Sequence, residues 1–125
     1  MTETADTADA TITHEDIGED LRKIIITGRL DTPGTNEIAP TLKELASAPK
    51  RGIIVDLTYV EFAASIGIGQ LIVNAQAVKA RGGHMVLIVS SSSAVMISLT
   101  TTGIDRVIPV FQTAPEAYAG ALRGF

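Results

Sequence analysis

Apolar residues follow two rhythms along this chain. The β-branched run Ile24, Ile25 and Ile26 in LRKIIITGRL (21–30), then GIIVDLT (52–58) and HMVLIV (84–89), are short and nearly unbroken. That is how strands buried on both faces read. Between them the spacing lengthens. Ile38, Leu42 and Leu45 share one side of a helix, and Ile68, Leu71, Ala75 and Val78 form a stripe along 65–80 that should face the sheet. SSSS is expected to be the loop and cap before a third helix, AVMISLTTTG, which Gly103 ends. RVIPV reads as a short strand placed at an edge by Pro109, and APEAYAGALRGF as a closing helix started by Thr113 and Pro115. ATITHEDI (10–17) gives a weak edge-strand signal. Strands separated by helices of 10 to 16 residues require crossover connections, hence a largely parallel sheet in one α/β domain over 10–125. In the first helix Thr32 and Pro33 suit an N-cap and first helical position. Pro40 would cost ~3 kcal/mol deep inside it, so the start of the regular part stays open.

Composition narrows the possibilities. At 125 residues and 46% hydrophobic content the chain can bury a core without staples, and with no cysteine it has neither disulfides nor thiolate chemistry. Of its 14 acids, seven lie in the first twenty residues, which hold no Lys or Arg; the other seven face ten bases. Residues 1–9 therefore read as an acidic, disordered arm with no secretory character. The bases are scattered and aromatics make up only 4%, which argues against nucleic-acid binding. The least polar stretch, Phe62 to Val78, contains Gln70, Asn74 and Gln76 and is short for a membrane span. A cytoplasmic protein without membrane insertion is expected.

Catalytic constellations are scarce. His14 and His84 lie on predicted strands without a second ligand at metal spacing, and a lone strand histidine is usually structural. Ser65 lacks a nucleophile elbow. The glycines of GIG (67–69) resemble a dinucleotide loop, but Ile72 stands where the third glycine belongs and Tyr59 to Ala64 separate them from the predicted strand end. No enzyme, cofactor or metal is expected. On the helical wheel of 65–80, Gln70, Asn74 and Arg81 form a polar stripe. Ser65, Gly69, Ile72, Val73, Gln76 and Ala80 form a third side, apolar and small, which packs either on a neighbouring helix or on another protein. The third helix carries no charge, with Val95, Met96, Ile97 and Leu99 around most of its circumference.

Four short motifs occur in order: Gly28-x-Leu30-Asp31, Asp56-Leu57-Thr58, the turn Ala64-Ser65-Ile66-Gly67-Ile68-Gly69, and Thr102-Gly103-Ile104-Asp105. Together, over residues 20 to 122, they resemble the STAS domain of bacterial anti-sigma factor antagonists and sulfate-transporter tails. The resemblance implies a mixed, mostly parallel sheet of four to five strands with helices mainly on one face. It also implies a regulatory protein that binds a serine-kinase anti-sigma factor or related regulator, is switched by phosphorylation and is reset by a serine phosphatase. Carried over residue by residue, the phosphoacceptor is Ser65, and the partner surface comprises Asp31, Ala64, Ser65, Ile66, Gly67, Ile68, Gly69, Ile72 and Gln76. The chain departs from the family turn at Ala64, where an aspartate is usual, and at Ile66, where a second hydroxyl is. Because those departures join an uncharged third helix, a structural subunit of a sensory scaffold or lipid-transport complex is the alternative, with a homodimer through 94–99 as one form. On the phosphorylation reading, Ser65 is expected to serve both as the cap of its helix and as the switch.

Overall fold

The computed structural model describes residues 9–123. Residues 1–8 of the expected arm and the last two of the closing helix lie outside them. Five strands form one sheet in chain order: β1 (Ala10–Ile17), β2 (Leu21–Leu30), β3 (Gly52–Ala63), β4 (His84–Ile88) and β5 (Val110–Phe111). β1 pairs antiparallel with β2, and all later pairings are parallel. The helices are α1 (Thr32–Ala46), α2 (Ser65–Ala80), α3 (Ala94–Thr102) and α4 (Ala114–Arg123), with a 3₁₀ turn at Ile104–Arg106.

Chain order across the sheet decides where the helices go. From β2 to β5 each crossover steps the same way, and crossovers of one hand then put their helices on one face. α1, α2 and α3 accordingly share a core with Ile24 and Ile26 of β2, Ile53 and Val55 of β3, and Leu87 of β4, all fully buried. The opposite face is covered by α4, whose Ala117 and Ala121 pack on Leu21, Ile54, Val86 and Ile88. Two small residues on α4 let it lie close: a side chain at Gly52 would come within 2.7 Å of the Ala121 methyl.

Local chemistry sets most boundaries. Ser93 caps α3 by accepting from the Met96 N–H (3.1 Å), and Gly103 ends it in the left-handed conformation at φ 80°. The Thr113 hydroxyl accepts from the Glu116 N–H (3.4 Å) and donates to the Glu116 carboxylate (3.1 Å), which caps the first turn of α4. Gly28 has φ 99°, and a Cβ there would lie 2.2 Å from the Asp9 carbonyl, which the Arg29 N–H uses as its acceptor. Asp9 also donates its N–H to Glu37 on α1 (2.9 Å), so the chain is anchored from that residue onward. At the other end of the hairpin, hydrogen bonds from Arg22 hold the Asp16 carboxyl below the usual carboxylate range.

Three expectations need correction, and one open boundary is settled. The predicted strand RVIPV is mostly 3₁₀ turn and loop, with only Val110 of it in β5, which runs on to Phe111. β3 continues five residues past Thr58, to Ala63. Two register shifts against β2 insert extra residues, so Leu57, Val60 and Ala63 turn inward every third position and the strand loses its two-residue rhythm. The N-cap of α1 is Asp31, not Thr32: its Oδ1 accepts from the Gly34 N–H at 2.9 Å, a bond an aspartate makes readily. Pro40 lies inside α1, on its exposed side, where the Asn36 carbonyl left without an N–H partner can face water.

Replacing Pro40 with alanine returns that hydrogen bond and removes the ring. The variant should be more stable by about 1–3 kcal/mol, read as a higher urea midpoint at unchanged slope. An unchanged midpoint would mean that the unfolded chain gains as much freedom as the helix gains in bonding.

Candidate functional site

The site grows from the paired ends of two central strands. β2 and β3 finish side by side, with Leu30 opposite Ala63. The strands then turn into α1 through Asp31 and into α2 through Ala64, so both helices begin at the same edge of the sheet. The Ala64 N–H donates to the Leu30 carbonyl at 3.0 Å, tying the two turns together.

Asp56 makes the far half of β3 possible. It is buried, and its Oδ1 accepts from the Thr58 N–H (2.9 Å) and hydroxyl (2.5 Å), while Lys23 lies 3.7 Å from Oδ2. Asp56 is the last residue of β3 to pair with β4. Its carboxylate therefore satisfies the backbone where the first register shift occurs. Beyond it, Tyr59 and Phe62 point outward, 63% and 36% exposed. Arg29 stacks over the Phe62 ring at 4.8 Å and approaches Asp31 at 3.5 Å.

α2 sits against α1 through its polar stripe, and not through the small apolar side that could have packed on a helix or on a partner. A Cβ at Gly67 would lie 2.8 Å from Leu30 Cβ and 3.2 Å from Thr35 Oγ1, so only glycine permits this approach. Asn74 on the same side is buried and donates to the Gln70 carbonyl (2.8 Å), and Arg81 donates to the Ala46 carbonyl at the end of α1 (3.0 Å). The polar stripe of the wheel thus makes the helix–helix contact. The small apolar side is left in solvent: Val73 is 58% exposed, Ser65, Gln76 and Ala80 are exposed, and nothing stands within 4 Å of a Cβ built on Gly69.

The carried-over residues divide accordingly. Ser65, Ile66, Gly69 and Gln76 look outward, Ile72 is half-buried against the core, and Gly67 and Ile68 are buried. Asp31 is partly exposed and occupied as the cap of α1. Ser65 is not the cap of α2. Ala64 holds that position in extended backbone without a side-chain bond, and Ser65 is the first helical residue, its hydroxyl bonded to nothing among the described residues. Tyr59 and Phe62 escaped the sequence reading; aromatic and β-branched residues at 59, 60 and 62 were the signal that β3 continued. His14 is exposed on β1 and His84 half-buried at the start of β4. Among the described residues no group of three or more His, Cys, Asp or Glu could hold a metal, and no helix is long and apolar enough to cross a membrane.

Two parallel strands that end together and each turn into a helix define this as a small α/β module, with an exposed serine at the start of the second helix. The STAS domain family model matches residues 12–117, and the chain belongs to that family. Among solved structures it is similar to an anti-sigma factor antagonist from Mycobacterium paratuberculosis (TM-score 0.81, 18% identity, covering 90% of this chain and 94% of that one). It is also similar to a STAS domain protein from Planctomyces limnophilus (0.65, 27%, 89% and 95%). A third is the Bacillus cell fate determinant SpoIIAA in its phosphorylated form (0.63, 19%, 87% and 97%). No curated protein matches the chain by sequence.

Two stability measurements test this geometry. Ala64→Asp supplies the missing cap and should stabilise the fold by about 0.5–2 kcal/mol, with the carboxylate also favoured by the helix dipole. Thermal unfolding that does not shift upward would show that the turn cannot bring Oδ to an N–H of the first turn. Gly67→Ala should cost about 1–3 kcal/mol by forcing α2 away from Leu30 and Thr35, whereas Gly69→Ala should be neutral or gain up to ~1 kcal/mol of helix propensity. Equal effects at the two glycines would refute the packing described.

Proposed function

We propose that this chain is a non-enzymatic signalling module of the partner-switching type, working in the cytoplasm. Unphosphorylated, it binds a serine-kinase anti-sigma factor or related regulator and frees that regulator's client. Phosphorylation of Ser65 ends the binding, and a serine phosphatase restores it. Nucleotide and metal belong to the kinase, so this chain needs no cofactor of its own.

One observation carries the reading: the Ser65 hydroxyl is exposed at the head of α2, beside a helix side of Ile66, Gly69, Val73 and Gln76 that its own fold does not cover. The physics suits a switch. A phosphate adds about −1.5 to −2 charge, and the free N–H groups and dipole of a helix N-terminus accommodate it, so the fold should persist. A partner seated on the same side would instead have to bury that charge. An unpaired buried charge costs several kcal/mol, and two already correspond to about thirtyfold in affinity. Likeness to anti-sigma factor antagonists, one of them a phosphorylated form, supports the same reading.

The alternative, a structural subunit or homodimer assembled through α3, rests on Ile97, 66% exposed on a helix without charge. Val95 and Leu99 are fully buried and Met96 packs against the core, so Ile97 is the residue with which to probe that surface.

Incubation with the kinase encoded nearest in the genome and ATP, followed by mass spectrometry, should place phosphate on Ser65, with labelling abolished in Ser65→Ala. Label retained in that variant, on the Ser90–Ser93 run or Thr100–Thr102, would remove the switch from α2. In calorimetric titration against the regulator, Ser65→Glu and Gly69→Arg should each weaken binding tenfold or more, by the charge-burial argument above, and Ile97→Glu should leave it unchanged. The reverse pattern would favour assembly through α3.

A further inference from the structure

We infer that a cleft at the opposite end of α2 from Ser65 binds a small amphipathic monoanion, an acid with an apolar tail and one negative head group. The cleft encloses ≈ 450 Å³ between the last turns of α2, the start of β4 and the 3₁₀ turn, within the size range of small-molecule sites. Fourteen helical steps at ~1.5 Å put Lys79 roughly 20 Å from Ser65, so an occupant of the cleft leaves the serine itself uncovered.

Two kinds of lining residue define the ligand. Ala75, Met85, Val107 and Pro109 provide an apolar wall; Met85 is buried, while Val107 is left 62% exposed at the rim. An apolar residue so open beside a buried methionine makes a surface on which a hydrocarbon tail gains by leaving water.

The charge comes from Lys79 on α2 and Arg106 on the 3₁₀ turn. Arg22, Lys23, Arg29 and Lys50 are each in an ion pair, and Arg81 is spent on main-chain carbonyls. The side chains of Lys79 and Arg106, in contrast, have no hydrogen-bond or ion-pair partner among the described residues. Asp105 and His84 also line the cleft; counting Lys and Arg against Asp, the lining carries a formal excess of one positive charge, which suits a ligand with one negative charge better than one with two. The carbonyl end of α2 does not cancel this excess. The Val78 and Lys79 carbonyls accept from the N–H groups of Arg81, Gly82 and Gly83, at 2.9 to 3.3 Å, and are turned into the chain itself.

Octanoate and octan-1-ol share a tail and differ in the head, so together they test both halves of the inference. In ¹⁵N–¹H NMR titrations, octanoate should shift amides of 75–85 and 105–109 and saturate at one equivalent. Octan-1-ol should bind about tenfold more weakly or worse, because it forgoes the charge-assisted bonds. Lys79→Met and Arg106→Met, both at exposed positions and checked for unchanged spectral dispersion, should each weaken octanoate about three- to tenfold while leaving octan-1-ol within twofold. Equal affinity for acid and alcohol, shifts elsewhere or none, or octanoate binding insensitive to both substitutions would overturn the assignment. None of these results depends on whether Ser65 is phosphorylated, so the two readings fail separately.

Discussion

The candidate site depends on how β3 keeps its bond with β2 after it has lost β4. Up to Asp56 the strand is held on both sides; beyond it only β2 remains. A strand continued along one neighbour must absorb any mismatch alone, and here it does so with two register shifts and a carboxylate bonded twice to Thr58. Because Asp56 is buried beside Lys23, the charge in that arrangement is matched. The last pairing, Leu30 with Ala63, then fixes two helix starts at once. Were β3 to end at Thr58, α2 would begin on a free loop and the serine would have no defined place.

Close packing also explains why one side of α2 is bare. With no side chain at Gly67, α2 sits against Leu30 and Thr35 and turns Asn74 and Arg81 toward α1. The cost is a buried amide, met by the Gln70 carbonyl, and an unsatisfied hydroxyl at Thr35. Rotation in that sense leaves Val73 and Gly69 in water. An apolar side on a small domain is therefore the result of how α2 is seated, and the binding role proposed for it makes use of that exposure.

Much of this was legible in the sequence, and the rest was hidden for identifiable reasons. The unbroken apolar runs gave β2, β4 and the first half of β3, because strands buried on both faces have no polar alternation to obscure them. The outer half of β3 was lost where the register shifts replaced a two-residue rhythm by a three-residue one. Asp31 was read as a contact residue rather than a cap, since an aspartate before Thr-Pro suits both uses. The polar stripe of α2 could not be assigned a neighbour from the sequence, because a helical wheel shows which residues share a side but not what meets it; here that neighbour is α1, with Gly67 as the point of contact. The exposed serine and its glycines were visible from the turn alone, while the cleft beyond Lys79 joins segments some twenty-five residues apart and has no local pattern.

Strand order that repeats chain order has a consequence for how the molecule comes into being. Every pairing in the sheet joins strands that are successive in the chain, so each loop to be closed is one hairpin or one crossover long, and no strand must be inserted between two others already paired. Parallel sheets are ordinarily slow to form because their contacts are distant in sequence; this arrangement keeps those distances as short as crossovers allow. A nascent chain can add β3 to the β1–β2 hairpin, then β4, then β5, with each new strand meeting an edge that already exists. The exception is α4, which covers the other face and follows β5 in the chain, so until it has been made and docks, Ile54, Val86 and Ile88 remain in water. The ten residues of α4 close this face of the sheet, and the interval before they dock is when the domain is most open to association with its neighbours.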